Sequence, residues 1–178
     1  ALPIFALVPS SGWKIEKVSD RKVRDEWKPL WGKRAVVEDH FNELVIDLVN
    51  PAGQPERMQL VVRGYNDGFA FCYKIPDGKG PCVNVQSELT AYNFAGDYTA
   101  WFYNGENHNI GPEKLTETDG TRLPVMTVKA GDKHYMAIHE ACLETGAPLV
   151  LQSKGGESLF SVASKPTSLS PGYTSAWR

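Results

Sequence analysis

Glu140 is the carboxylate whose setting most invites chemistry. In the run His134 to Leu143, Met136, Ile138, Glu140 and Cys142 fall on one face of a strand, so an acid follows two core-type residues in phase. Burying an unpaired carboxylate costs several kcal/mol, and a charge placed there needs compensation. A metal ion is one answer. Calcium suits an oxygen ligand, yet it takes roughly six to eight of them, and one glutamate completes no site. The competing reading ends the strand by residue 140 and leaves Glu140 in solvent or paired with a nearby Lys or Arg.

A second constellation is the polar segment Tyr103-Asn104-Gly105-Glu106-Asn107-His108-Asn109-Ile110-Gly111-Pro112-Glu113, which follows the aromatic run Tyr98 to Tyr103. Sugars present hydroxyls that need donors and acceptors and an apolar ring face that stacks on aromatics. Trp101 and Tyr103 supply rings for such a substrate, and Asn104, Glu106, Asn107 and Asn109 supply polar groups. An ordinary Asn-Gly-rich surface loop has the same composition. Trp27-Lys28-Pro29-Leu30-Trp31 could also stack on sugars, but two tryptophans around a proline are expected to plug the edge of a sheet packing.

Other chemistries find less support. Glycoside hydrolysis ordinarily uses two carboxyl groups, about 5 Å apart for retention or roughly 6.5 to 9.5 Å for inversion. Glu88, Glu106, Glu113 and Glu140 suffice in number, but their spacing pairs none of them. His134 and His139 are five apart, on opposite faces of a strand, which disfavours a shared zinc ion. The chain has no His-Glu-x-x-His, no Gly-x-Ser-x-Gly elbow and no phosphate-binding glycine loop.

The elements that must position these groups read as short strands. Period-two apolar spacing recurs over Trp13 to Val18, Leu44 to Val49, Met58 to Val62, Phe69 to Ile75, Tyr98 to Tyr103, Val125 to Val128, Tyr135 to Ile138, Leu149 to Leu151 and Leu159 to Val162, separated by Gly- and Pro-rich clusters. Tyr65-Asn66-Asp67-Gly68 has the turn chemistry of a β-hairpin, and the run after it sets Phe69, Phe71, Tyr73 and Ile75 on one face, to lie against a second sheet. This pattern predicts an all-β, antiparallel two-sheet sandwich with one or two short helices at most. Ser19 to Trp27 alone has helical composition. Ala1 to Val8 reads as a buried strand, and Lys165 to Trp177 as an extended strap.

At 178 residues the chain is long enough for one core, burying roughly 70% of its unfolded surface. Its net charge is −2 with 19 scattered basic residues, so no footprint for nucleic acid or an anionic membrane stands out. No apolar run approaches the roughly 18 residues of a membrane-crossing helix. Three cysteines make no disulfide scaffold: buried free thiols are expected, with a Cys72–Cys82 bridge as the alternative.

The hairpin Tyr65-Asn66-Asp67-Gly68-Phe69-Ala70-Phe71-Cys72-Tyr73 resembles one in the N-terminal domain of glycoside hydrolase family 97, a group of α-glucosidases and α-galactosidases. Further blocks agree in order: Trp27 to Arg34, His40 to Leu44, Ser87-Glu88-Leu89-Thr90, Ala137 to Leu143 and the closing Thr174-Ser175-Ala176-Trp177-Arg178. The resemblance implies a galactose-mutarotase-like super-sandwich over residues 1–164, begun at its second or third strand, and a strap over 165–178 leading to an absent catalytic barrel. It implies a non-catalytic supporting domain whose Glu140 joins barrel carboxylates on calcium, with little or no calcium bound by this chain alone. An asparagine of the 103–113 loop would reach the same site, and Trp177 would pack where the strap meets the barrel. The resemblance also implies an α-linked oligosaccharide substrate for the parent enzyme and a periplasmic or secreted setting. An open sheet edge would favour a homo-oligomer. A stand-alone carbohydrate-binding module through Trp101, Tyr103, Asn104 and Glu106 is the alternative, and a sugar epimerase pairing a histidine with a carboxylate is a third.

Overall fold

The computed structural model describes residues 12–52, 56–75, 84–85, 88–105, 109–143, 148–162, 167–168 and 173–178. The described strands are β1 (Lys14–Trp27), β2 (Val37–Val49), β3 (Arg57–Gly64), β4 (Phe69–Ile75), β5 (Asn84–Val85), β6 (Ala91–Asn93), β7 (Thr99–Tyr103), β8 (Asn109–Lys114), β9 (Asp119–Ala130), β10 (His134–Ile138), β11 (Leu151–Lys154), β12 (Leu159–Val162), β13 (Thr167–Ser168) and β14 (Tyr173–Thr174). They form a five-stranded sheet, β1-β2-β3-β4-β14, and a seven-stranded sheet, β6-β12-β11-β9-β7-β8 with β10 also on β9, while β13 pairs with β5. All pairings are antiparallel, as the alternating pattern and tight turns require.

The hairpin at residues 65–68 closes as expected: Gly64 faces Phe69, and the Tyr65 N–H donates to Gly68 O at 2.8 Å. Phe71, Tyr73 and Ile75 share a face with Leu60, Met58, Ile46 and Leu48, and these residues form one apolar cluster. Phe69 begins the same ridge but is exposed, because it sits at the turn end of the sheet. A second cluster lies on the seven-stranded sheet, with Phe102, Leu115, Met126, Val128, Leu149 and Phe160 buried together.

Three readings change. Ser19 to Trp27 is not helical: it lies within β1, whose residues pair with β2 as far as Trp27 opposite Val37. Strand pairing overrides its weak helical preference, as tertiary context commonly does. The single described helix is a 3₁₀ turn, Leu115–Glu117. Trp27, Leu30 and Trp31 do not plug an edge; they stand exposed around the β1–β2 turn, where no layer covers them among the described residues. Cys72 is a buried free thiol, but Cys142 is an exposed one. Cys82, the suggested partner of Cys72, and the strand read at residues 1–8 lie outside the described residues.

The strap residues 173–178 are stitched into the structure on both sides. Tyr173 and Thr174 pair with Ile75 and Lys74, the Arg178 N–H donates to Phe71 O at 2.9 Å, and Ala141 and Trp177 exchange two backbone hydrogen bonds at 3.0 and 2.9 Å. This segment thus ties β4 of one sheet to the chain leaving β10 of the other. The Arg63 guanidinium also lies over the Trp177 ring at 4.3 Å and over the Phe41 ring at 4.2 Å.

Candidate functional site

Glu140 sits just past the end of β10, where the alternation of that strand has carried Ile138 onto the core side. Its side chain is 14% exposed. Oε2 accepts the Leu149 N–H at 2.7 Å and Arg178 Nη1 at 3.0 Å, and among the described residues no donor is placed on Oε1. Arg178, with a side chain fully withdrawn from solvent, also reaches Glu88 Oε2 at 3.1 Å through Nη2. Glu88 is itself only 3% exposed. The compensation that a half-buried carboxylate needs is therefore supplied by a guanidinium whose fork spans two acids.

Neither Glu88 nor Arg178 stood out as a site residue in the sequence. The signal was present in composition: each is a lone charge in a block of mostly uncharged residues, at Ser87-Glu88-Leu89-Thr90 and Thr174-Ser175-Ala176-Trp177-Arg178. Nothing in the spacing pairs residues so far apart.

Among the described residues no group of three or more His, Cys, Asp or Glu side chains is placed to hold a metal ion. Among the described residues, Glu140 thus has no carboxylate or histidine neighbours that would complete the roughly six to eight oxygen ligands of a calcium ion. His134 and His139 are both exposed, and no described carboxylate groups with them as a metal site.

The residues read as sugar-binding divide. Trp101 and Tyr103 lie on β7, half-buried and exposed respectively, and Asn104 is exposed in the turn beyond. Asn109 is not in a loop: it opens β8 and pairs with Tyr103, because the polar segment folds back as a strand. Glu106 and Asn107 lie outside the described residues. Trp101, Tyr103 and Asn109 line one pocket of about 190 Å3, together with Phe102, Val125 and Thr127. Glu140 does not line it.

The fold and rim thus define an all-β sandwich domain whose closing segment is locked to a carboxylate by a buried ion pair. The family described as Glycosyl-hydrolase 97 N-terminal matches residues 6–178, and the chain belongs to that family. Among similar solved structures, a glycoside hydrolase family 97 enzyme from Pseudoalteromonas sp. strain K8 in complex with panose superposes with a TM-score of 0.81 at 23% identity, covering 95% of this chain and 27% of that one. A β-arabinopyranosidase matches with a TM-score of 0.78 at 18% identity, covering 93% of this chain and 31% of the other. A probable retaining α-galactosidase of Streptomyces bingchenggensis (strain BCW-1) is 28% identical over 154 residues, 76% of this chain and 24% of the relative. The chain therefore spans about a quarter to a third of the length of these relatives.

Proposed function

We propose that this chain is the non-catalytic sandwich of an α-glycosidase, supporting a catalytic barrel and lending Glu140 to a calcium-dependent active site. One observation carries this reading: Oε2 of Glu140 is pinned by Leu149 and Arg178, while Oε1 has no described donor. A carboxylate held by one oxygen is preoriented to offer the other, and rigid placement is what a contributed ligand needs. Calcium, when bound, supplies a fixed positive charge that orders oxygen ligands around it. The chain's own task is to hold Glu140 at the rim. Arg178 does so from the segment that, in this reading, runs on towards the barrel.

In the longer protein, Glu140→Gln is expected to weaken calcium binding at least tenfold in a calorimetric titration, while the 178-residue chain alone turns over neither nitrophenyl α-glucoside nor nitrophenyl α-galactoside. Unchanged calcium affinity in that variant, or true turnover by the purified chain, would defeat the proposal.

A further inference from the structure

We infer that the outer face of the seven-stranded sheet carries a saccharide-binding site built from Trp101, Tyr103, Asn109, Thr127 and Tyr135. Strand register sets these groups together. Trp101 pairs with Thr127 and Thr127 with Ala137, while Thr99, Lys129 and Tyr135 make the neighbouring row. Ala100, Met126 and Val128, one step out of phase, are fully buried, so the Trp101 row faces away from that core.

Two irregularities shape the face. The ladder of β7 with β8 shifts register between Ala100 and Phe102 and that of β7 with β9 between Trp101 and Tyr103, and such bulges bend the strand and re-aim its side chains. Gly111 sits at φ +113°, and a Cβ there would lie 2.5 Å from Ala100 O and 3.1 Å from Trp101 Cδ1. Only glycine lets β8 approach closely enough to leave the indole where it is.

The result is an aromatic ledge with a polar margin. The rings of Trp101 and Tyr135 are 6.5 Å apart and inclined by 33°, and Tyr135 is 61% exposed. Beside them, Asn109 and Thr127 line the pocket, and among the described residues neither side chain is engaged in a hydrogen bond. Among the described residues that line the pocket none carries a carboxylate, amine or imidazole, a lining suited to a neutral ligand. At about 190 Å3 it falls below the roughly 300 to 1,000 Å3 of sites that enclose drug-sized ligands. A single pyranose ring of an oligosaccharide fits that chemistry: apolar C–H groups stack on the ledge, and hydroxyls meet the amide and the threonine. A purely apolar partner surface would leave those two polar groups without bonds.

The site uses none of Glu88, Glu140 or Arg178, and its test turns on Trp101 and Tyr135, which take no part in the calcium proposal. Asn109 is the one asparagine it shares with the segment from which the family resemblance draws an asparagine to that centre. The test is an NMR titration of the 178-residue chain with panose, methyl α-glucoside and melibiose, with open-chain sorbitol as control. Saturable shifts of the Trp101 indole N–H and Tyr135 signals are expected, with Kd of about millimolar order and no response to sorbitol. Trp101→Ala should weaken binding about tenfold, the scale of one lost aromatic contact. Tyr135→Ala, at an exposed edge-strand position, should weaken it several-fold and serves where Trp101→Ala fails to fold. No saturable shift with any of the three saccharides, or shifts untouched by both substitutions, overturns the site.

Discussion

Arg178 and Glu140, 38 residues apart in the chain, meet through a 3.0 Å contact between Nη1 and Oε2. The same guanidinium holds Glu88, 90 residues away, at 3.1 Å. One side chain thereby fastens the closing segment to the exit of β10 and to the stretch preceding β6. Removing one member of a buried ion pair costs more than the pair contributes, because the partner is left charged and desolvated.

Arg178→Met is accordingly expected to destabilise the chain by about 3 to 5 kcal/mol, read as a lowered urea midpoint at constant m-value. Adding Glu88→Gln should recover part of the loss, since one stranded charge disappears. A loss below about 1 kcal/mol, within the range of exposed pairs, would mean that Arg178 does not hold this corner.

Glu43 supplies a pH dependence. It is buried in the five-stranded sheet between Arg21, whose Nε lies 2.6 Å from Oε1, and Arg63, whose Nε lies 2.8 Å from Oε2. The hydrogen bond from Arg21 holds its carboxyl below the ordinary value; burial opposes this, and Arg63 adds to the lowering. The folded state thus binds that proton more weakly than the unfolded chain does. The stabilisation is fully present above about pH 4.3 and is lost as pH falls through the depressed folded value. Glu43→Gln should lower stability at neutral pH by about 1 to 3 kcal/mol and flatten the acid limb of stability against pH. An acid limb as steep as that of the parent chain would assign the dependence to other groups.

Gly111 tests the geometry of the aromatic ledge. Alanine there meets Ala100 O at 2.5 Å and must hold φ at +113°. Either the backbone gives way or strain of about 1 to 3 kcal/mol is stored. Gly111→Ala should therefore lower the melting temperature and move the Trp101 indole resonance, whereas alanine at Gly68, with nothing within 4 Å of its Cβ position, should leave that resonance in place. A Trp101 signal unmoved by Gly111→Ala would show that this close approach does not set the indole.

Much of this architecture was legible from local pattern. The turn at Tyr65 to Gly68 and the period-two ridge from Phe71 to Ile75 fold as read, because side-chain alternation and turn chemistry act over a few residues. Glu140 was legible as an acid in phase with Ile138 for the same reason. Ser19 to Trp27 misread because its composition is weakly helical on its own, and only the long pairing with β2 makes it a strand. Asn109 read as a loop residue because its segment is polar; its strand exists through backbone bonds to β7, which composition does not encode.

The amino-acid order by itself determined the class of fold, the hairpin and the family, since all three rest on local alternation and contiguous blocks. Only the tertiary structure decided what balances Glu140 and which rings share a face. Arg178 comes to Glu140, and Tyr135 to Trp101, through strand pairings between distant parts of the chain, and the choice among such pairings depends on the packing of both sheets at once.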